Sequence, residues 1–326
     1  MAVYTLLTNE QIAELVEERY KLGTLAFAVG IAQGVENSNY LLTVNGADGA
    51  ETRYILTLYE KRTKPEDLPF FMALMEHMAT HGIACPKPIA MHDGSVIGTI
   101  EGKAFAMVSF LEGKSLSAMR AEHCAEMGAQ LARLHLAAES FTGARANSVA
   151  MPAWQQIVTA LGESLDTIQP GLQQLVQGEL NHLQAHWPNA LPRGVVHADL
   201  FPDNVFFDDT GKLSGVIDFY FACSDLFAYD LAITMNAWCF ERTGEWNMTK
   251  ARSLLAANQH VRVLSADEIA ALPLLARGAA LRFLLTRAYD KINAPAQALG
   301  IVKDPMEYVR KLRFHQQVAS ASEYGL

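Results

Sequence analysis

Apolar residues recur at helical spacing at Ile12, Leu15, Val16 and Tyr20, and Thr8 followed by Gln11 forms a capping-box pattern ahead of them. This predicts a first helix over residues 9–21. The period then changes. Residues 27–33, 40–44 and 54–59 are short runs rich in β-branched and aromatic side chains between glycine-bearing turns, the pattern of an antiparallel meander. Helical spacing returns at Phe71, Leu74, Met75 and Met78, predicting a helix over residues 68–80 that Pro86 and Pro88 prevent from continuing. Runs at 95–100 and 104–110 flank a turn at Glu101-Gly102 and predict a hairpin. The N-terminal part is therefore expected to be a five-stranded antiparallel sheet with one inserted helix.

From Ser117 onward helical signals dominate, with Met119, Cys124, Met127, Leu131, Leu134 and His135 on or near one face. Strand-like pieces reappear only at 195–196, 205–207 and 213–217 before helices resume. Neither an internal repeat nor a low-complexity tract interrupts the chain. The fold class expected is α+β.

Composition narrows the function. At 326 residues the chain is long enough for two lobes with a cleft, and with half its residues hydrophobic most of it should fold. A net charge of −9 removes the overall positive field that nucleic acid or anionic lipid would need, so neither is expected as a partner. Cys85, Cys124, Cys223 and Cys239 are scattered without a C-x-x-C pair, as reduced buried thiols are. The first ten residues lack a signal-peptide pattern, and the apolar stretch 270–285 is interrupted by Pro273, Arg277 and Arg282. A soluble, cytoplasmic protein is expected, as a monomer or homodimer.

The candidate chemistry lies in His197-Ala198-Asp199, with Asn204 five residues after the aspartate and Asp218 following Val216-Ile217. Chance alone would supply about 0.02 such His-x-Asp-x-x-x-x-Asn matches in a chain of this composition. Phosphoryl transfer requires a group that aims the acceptor hydroxyl and oxygen ligands for the magnesium on the nucleotide. Asp199 is the candidate for the first task, Asn204 and Asp218 for the second. His197 is expected to order the loop.

These residues resemble the aminoglycoside-phosphotransferase and choline-kinase superfamily, and the resemblance spans nearly the whole chain. Its other carriers are Gly34 to Tyr40 as the nucleotide loop, Cys85-Pro86-Lys87-Pro88, Phe110-Leu111-Glu112-Gly113 as the hinge, and Tyr229-Asp230-Leu231-Ala232. It implies a two-lobed protein-kinase-like fold, with an N-terminal nucleotide-binding lobe (1–108), a hinge (109–114) and a mainly helical C-terminal lobe (115–326). It also implies ATP and Mg²⁺ as cofactors, and Gly34, Asn37, Ser38, Asn39, Lys61, Phe110 and Glu112 as nucleotide contacts. The wording of residues 36–40, 56–62, 199–207 and 230–240 is similar to the bacterial homoserine kinases of this fold. That implies phosphorylation of the L-homoserine side-chain hydroxyl, a step toward threonine. The alternatives are another small acceptor such as choline, an aminoglycoside or methylthioribose, and an inactive nucleotide-binding relative.

One departure stands out. Kinases of this fold carry a lysine in the third strand; here Thr57 occupies that place, so either Lys61 or Arg62 holds the phosphates or the strand register is shifted. For the substrate, whose carboxylate needs a cation, the candidates are Arg282 and Arg287, with Asp203 and Asn236 beside them. Either arginine could instead pair with an acid such as Asp290. Asp230 has a plainer role than metal ligand, that of bracing the catalytic loop. Trp238, Phe240 and Trp246 fit a pocket wall and a packed core equally well.

Overall fold

The structure is a computed structural model that describes residues 4–31, 37–60, 63–294 and 302–326. Helix α1 (Asn9–Glu14) continues through a wider turn to Arg19, and its Thr8–Gln11 capping box is formed on both sides. Strands β1 (Thr24–Gly30), β2 (Ser38–Asn45) and β3 (Glu51–Leu58) follow, then α2 (Leu68–Thr80), β4 (Gly98–Ile100) and β5 (Lys103–Ser109). Next come α3 (Ala121–Ala138), α4 (Met151–Leu161), α5 (Leu172–His186), β6 (Arg193–Val196), β7 (Val205–Phe207), β8 (Leu213–Val216) and β9 (Cys223–Leu226). The chain ends in α6 (Phe227–Trp238), α7 (Met248–Val261), α8 (Ala266–Asn293) and α9 (Met306–Gln317). It divides into two compact units, the first running to Gly113 and including Ser214–Tyr220, the second comprising Lys114–Leu213 and Phe221–Leu326.

The first unit holds a five-stranded antiparallel sheet in the order β1-β2-β3-β5-β4. Ser38, Tyr40, Leu42 and Val44 alternate inward along β2, so the period of two turns one face of the strand into core. That core gathers Ile12, Leu15 and Val16 of the first helix with Leu56, Leu58, Phe105 and Met107 of the sheet. Each such side chain contributes roughly 1.5–3 kcal/mol on burial. The β4–β5 turn has Glu101 and Gly102 both at positive φ, 49° and 71°, which matches the right-handed twist of a two-residue hairpin. Helix α2 buries Phe71, Leu74, Met75 and Met78 as its spacing predicts, and the chain leaves it through left-handed Gly82, ahead of the prolines. Residues 214–220 pack in this unit although they lie a hundred residues on in sequence; the Val216 N–H donates to the Ala84 carbonyl at 2.9 Å.

The second unit is helical around a small antiparallel pair, β6 and β9, in which Val196 opposes Cys223. Strand β9 carries no period of its own in the sequence and is held by this pairing. Helix α8 is long and apolar enough to cross a membrane by length and composition, yet it packs on α4, α5, α6 and α9 as a core helix. Arg277 fixes it to α5 through two 2.7 Å bonds to the buried Glu179 carboxylate. Cys85, Cys124, Cys223 and Cys239 are all free and buried, and burial pushes the Cys124 and Cys223 thiols up to about 12.

Helices α3 and α7 meet at Gly128, where an added Cβ would lie 2.0 Å from the Leu254 carbonyl oxygen. Asn258 Nδ2 also donates to the Gly128 carbonyl at 3.0 Å across this contact. Gly128→Ala must push two backbones apart, and a loss of about 1–3 kcal/mol is expected. Urea unfolding followed by tryptophan fluorescence measures it, since Trp154, Trp187, Trp238 and Trp246 all belong to this unit. An unchanged midpoint would show that the helices separate at no cost.

Candidate active site

Strand β6 ends at Val196 and delivers His197, Ala198 and Asp199 into a loop closed by one tight turn at Pro202–Asn204. Ala198 has φ 63°, a left-handed conformation that costs a residue with a Cβ about 1–2 kcal/mol, so other groups must hold it there. They are present on every side. The wholly buried Asp230 of α6 accepts the His197 N–H at 3.1 Å and the Ala198 N–H at 2.9 Å, and pairs with His135 Nε2 at 3.0 Å. Arg282 Nη1 donates to the Ala198 carbonyl at 2.7 Å. Trp238 Nε1 donates to the Leu200 carbonyl at 2.8 Å. Burial alone would raise the Asp230 carboxyl, but the His135 hydrogen bond, the electrostatic pull of the His135 and His197 rings, and the Ala198 N–H together hold it below the usual carboxylate range.

Within this frame Asn204 Nδ2 donates to the Asp199 carbonyl at 2.8 Å and to Asp199 Oδ2 at 3.2 Å. Its amide nitrogen is thereby committed to orienting the aspartate, which leaves Oδ1 as a hard oxygen donor. The donor type suits magnesium. Buried His197 accepts the Asp199 N–H on Nδ1 at 3.3 Å, so it orders the loop as an acceptor at this ring nitrogen.

The substrate candidates separate. Asp203 is exposed, with Lys303 Nζ 3.8 Å from its carboxylate and 5.5 Å from the centre of the Phe201 ring. Arg287 finds its acid on α9, Glu307 Oε2 at 2.7 Å, and lies over the Tyr308 ring. Burial would raise Glu307; Lys311 and Arg287 beside it bring its carboxyl down to about 2. Asn236 is wholly buried, donating to the Ala232 and Ala276 carbonyls at 3.1 Å and facing His315 Nε2 at 3.2 Å. An amide so committed ties three elements together. Trp238 and Phe240 are core, and the half-buried Trp246 packs with Phe240, Phe314, His315 and Tyr324.

The nucleotide-side candidates belong to the first unit, as does Asp218. Gly34 and Lys61, with Arg62, lie outside the described residues. The buried Ser38 Oγ accepts the Tyr4 and Thr5 N–H groups and donates to Glu60 Oε1 at 2.7 Å, so its hydroxyl joins chain segments. Asn37 Oδ1 accepts the Glu60 N–H at 3.3 Å, and Asn39 Oδ1 accepts from Thr57 Oγ1 at 2.8 Å. Strand β3 contains no lysine, and Thr57 is buried in register with Asn39 and Ala106. Lys103, outside every motif in the sequence, ion-pairs with Glu60 and donates to Thr5 Oγ1 at 2.5 Å. No periodicity marks it. Glu76 of α2 meets Lys87 at 3.4 Å on the surface, so the ion pair of this helix reaches the segment before the hairpin.

Asp218 also adopts a left-handed φ, 65°. Close by, the Tyr59 and Tyr220 hydroxyls meet at 3.0 Å, and the Tyr220 ring packs edge-on against Phe71. Burial, with the Asp218 charge adding to it, pushes the Tyr220 phenol up to about 12. At the end of the unit, the Arg53 guanidinium lies 4.2 Å from the centre of the Phe110 ring and ion-pairs with Glu112, while Ser214 Oγ donates to the Glu112 carbonyl at 2.8 Å.

The chain as a whole is similar to known proteins. The profile described as "Phosphotransferase enzyme family" matches residues 28–264. A homoserine kinase of Azorhizobium caulinodans is 54% identical over 100% of this chain and 99% of its own, and one from Xanthobacter autotrophicus is 53% identical over the same shares. A homoserine kinase of Paramagnetospirillum magneticum is 50% identical with both chains covered in full. Among solved structures, an amicoumacin kinase superposes with TM-score 0.70 at 16% identity, covering 96% of this chain and 94% of its own. A microcompartment-associated aminopropanol kinase superposes with TM-score 0.67 at 20% identity, covering 98% and 99%. At those identities the structures establish the protein-kinase-like fold, while the full-length sequence match establishes descent. The chain belongs to the phosphotransferase enzyme family.

Proposed function

We propose that this chain transfers the γ-phosphoryl group of ATP to the side-chain hydroxyl of L-homoserine, forming O-phospho-L-homoserine on the way to threonine. The observation that carries the reaction class is the Asp199 carboxylate held by Asn204 Nδ2 on a loop whose strained backbone is fixed by Asp230. Full-length identity of 50–54% to homoserine kinases supports the acceptor.

In this reading Asp199 accepts a hydrogen bond from the homoserine hydroxyl and aims its oxygen at the γ-phosphorus. As the new oxygen–phosphorus bond forms, the bond from the γ-phosphorus to the β,γ-bridging oxygen breaks, ADP leaves and Asp199 takes the hydroxyl proton. Bound magnesium would neutralise charge on the β- and γ-phosphates, and the Asn204 amide oxygen and Asp218 carboxylate would hold it. On the nucleotide side Gly34, Asn37, Ser38, Asn39, Lys61, Phe110 and Glu112 are the proposed contacts, with Asn37 and Asn39 tied to Glu60 and Thr57. A soluble cytoplasmic location accords with this reaction and with a core role for α8.

The test is ADP release in the presence of Mg-ATP with homoserine, choline, ethanolamine, methylthioribose and an aminoglycoside as acceptors. Homoserine is expected to exceed the others in kcat/KM by at least about 10²-fold, because a site built for a charged amino acid leaves buried groups unpaired with any of them. Faster turnover of choline or an aminoglycoside would overturn the acceptor and leave the phosphotransferase chemistry standing.

A further inference from the structure

Arg282 lies on α8 with 2% of its surface exposed, and its Nη1 holds the Ala198 carbonyl at 2.7 Å. Its charge centre sits 4.6 Å from the centre of the Phe283 ring and 5.7 Å from that of Phe221, and its Nε is buried without a hydrogen-bond partner. No carboxylate pairs with it among the described residues. A buried guanidinium is costly unless its geometry serves something, and this one is directed at the single residue of the catalytic loop forced to a left-handed φ.

We propose that Arg282 is a positioning residue for Asp199, acting through the Ala198 carbonyl, and is not the ligand of the substrate carboxylate. Ala198 is gripped at both ends. Its N–H goes to Asp230 Oδ1 at 2.9 Å and its carbonyl to Arg282, so the peptide that leads directly into Asp199 is fixed in orientation. Asp230 comes from α6 and Arg282 from α8, so two helices set the direction of one carboxylate. Each takes a different polar group of the same residue, and neither substitutes for the other. A lysine at 282 could still offer one N–H to the carbonyl, although without the planar fork that lies between the two rings.

The inference rests on Asp199 being the group that takes the hydroxyl proton, and the experiment keeps the two apart. Arg282→Met and Arg282→Lys are assayed with L-homoserine and Mg-ATP, with urea unfolding by tryptophan fluorescence run alongside. For Arg282→Met, kcat should fall about 10- to 100-fold while KM for homoserine stays within about threefold, and Arg282→Lys should recover a substantial part of kcat. A rise in KM of about 10²-fold with kcat little changed would make Arg282 a carboxylate ligand and overturn the proposal. So would wild-type kcat per folded molecule in a destabilised Met variant, which is the mark of packing alone. If Arg282→Met does not fold, Arg282→Lys decides by the same split between kcat and KM. Failure of the Asp199 assignment would appear separately, as retained activity in Asp199→Asn.

Discussion

Asp199→Asn is expected to lower kcat for homoserine phosphorylation by about 10²–10⁴-fold, the range that a positioned base contributes. KM for homoserine and ATP should stay within about threefold, because asparagine keeps the shape and one acceptor oxygen of the side chain it replaces. Folding should be untouched. The Asp199 main-chain carbonyl keeps its 2.8 Å bond from Asn204 Nδ2, and Asp230 and Arg282 hold the loop through the Ala198 main chain. Steady-state ADP release and urea unfolding on the same preparation check both halves. Activity near wild type would remove Asp199 as proton acceptor, whereas a large loss of stability would show that its carboxylate holds the fold.

The second large effect is expected at Asp230. Its carboxylate is fully buried and satisfies three donors, the His197 and Ala198 N–H groups and His135 Nε2. Asp230→Ala strands all three away from water, and a loss of about 3–5 kcal/mol is expected, since each buried donor left unpaired costs about 1–3 kcal/mol. Activity should fall with it, since Ala198 would no longer be held in its left-handed conformation. The milder Asp230→Asn separates charge from shape. The folded protein holds this carboxyl below its ordinary value, so its stabilisation is present above about pH 4 and is lost as pH falls through the folded-state value. The stability gap between wild type and Asp230→Asn should therefore narrow below about pH 4, as measured by urea midpoints across pH. A gap that widened on acidification would contradict the sign of the shift.

Much of the fold was legible because its signals are local. Helix α2 occupies the residues its apolar period marks, the Thr8–Gln11 capping box forms, and the Glu101-Gly102 turn adopts the two positive φ values that a tight hairpin needs. The loop from His197 to Asn204 was legible for a related reason: its residue types recur at short spacing, and short spacing survives as a pattern in the chain. Strand β9 was not, since four residues without a period become a strand only when β6 lies beside them.

What the sequence could not decide is how each polar side chain is spent. Ser38 and Asn236 are plausible ligands by type, yet burial gives their hydrogen bonds to Tyr4, Thr5 and Glu60 in one case and to Ala232, Ala276 and His315 in the other. Arg287 chooses Glu307 over its near neighbour Asp290, because a helical side chain meets whatever the packed helix presents. The sequence by itself therefore determined the motif, His197-x-Asp199 with Asn204 and Asp218 after it, and the family that motif points to, together with the local elements that carry it. Only the tertiary structure decided what holds that aspartate still, because the groups that do so come from Asp230 and Arg282, 32 and 84 residues from the Ala198 they grip. Such partnerships arise from burial, which leaves each polar group to pair with whatever the fold has placed beside it, and no spacing in the chain records that choice.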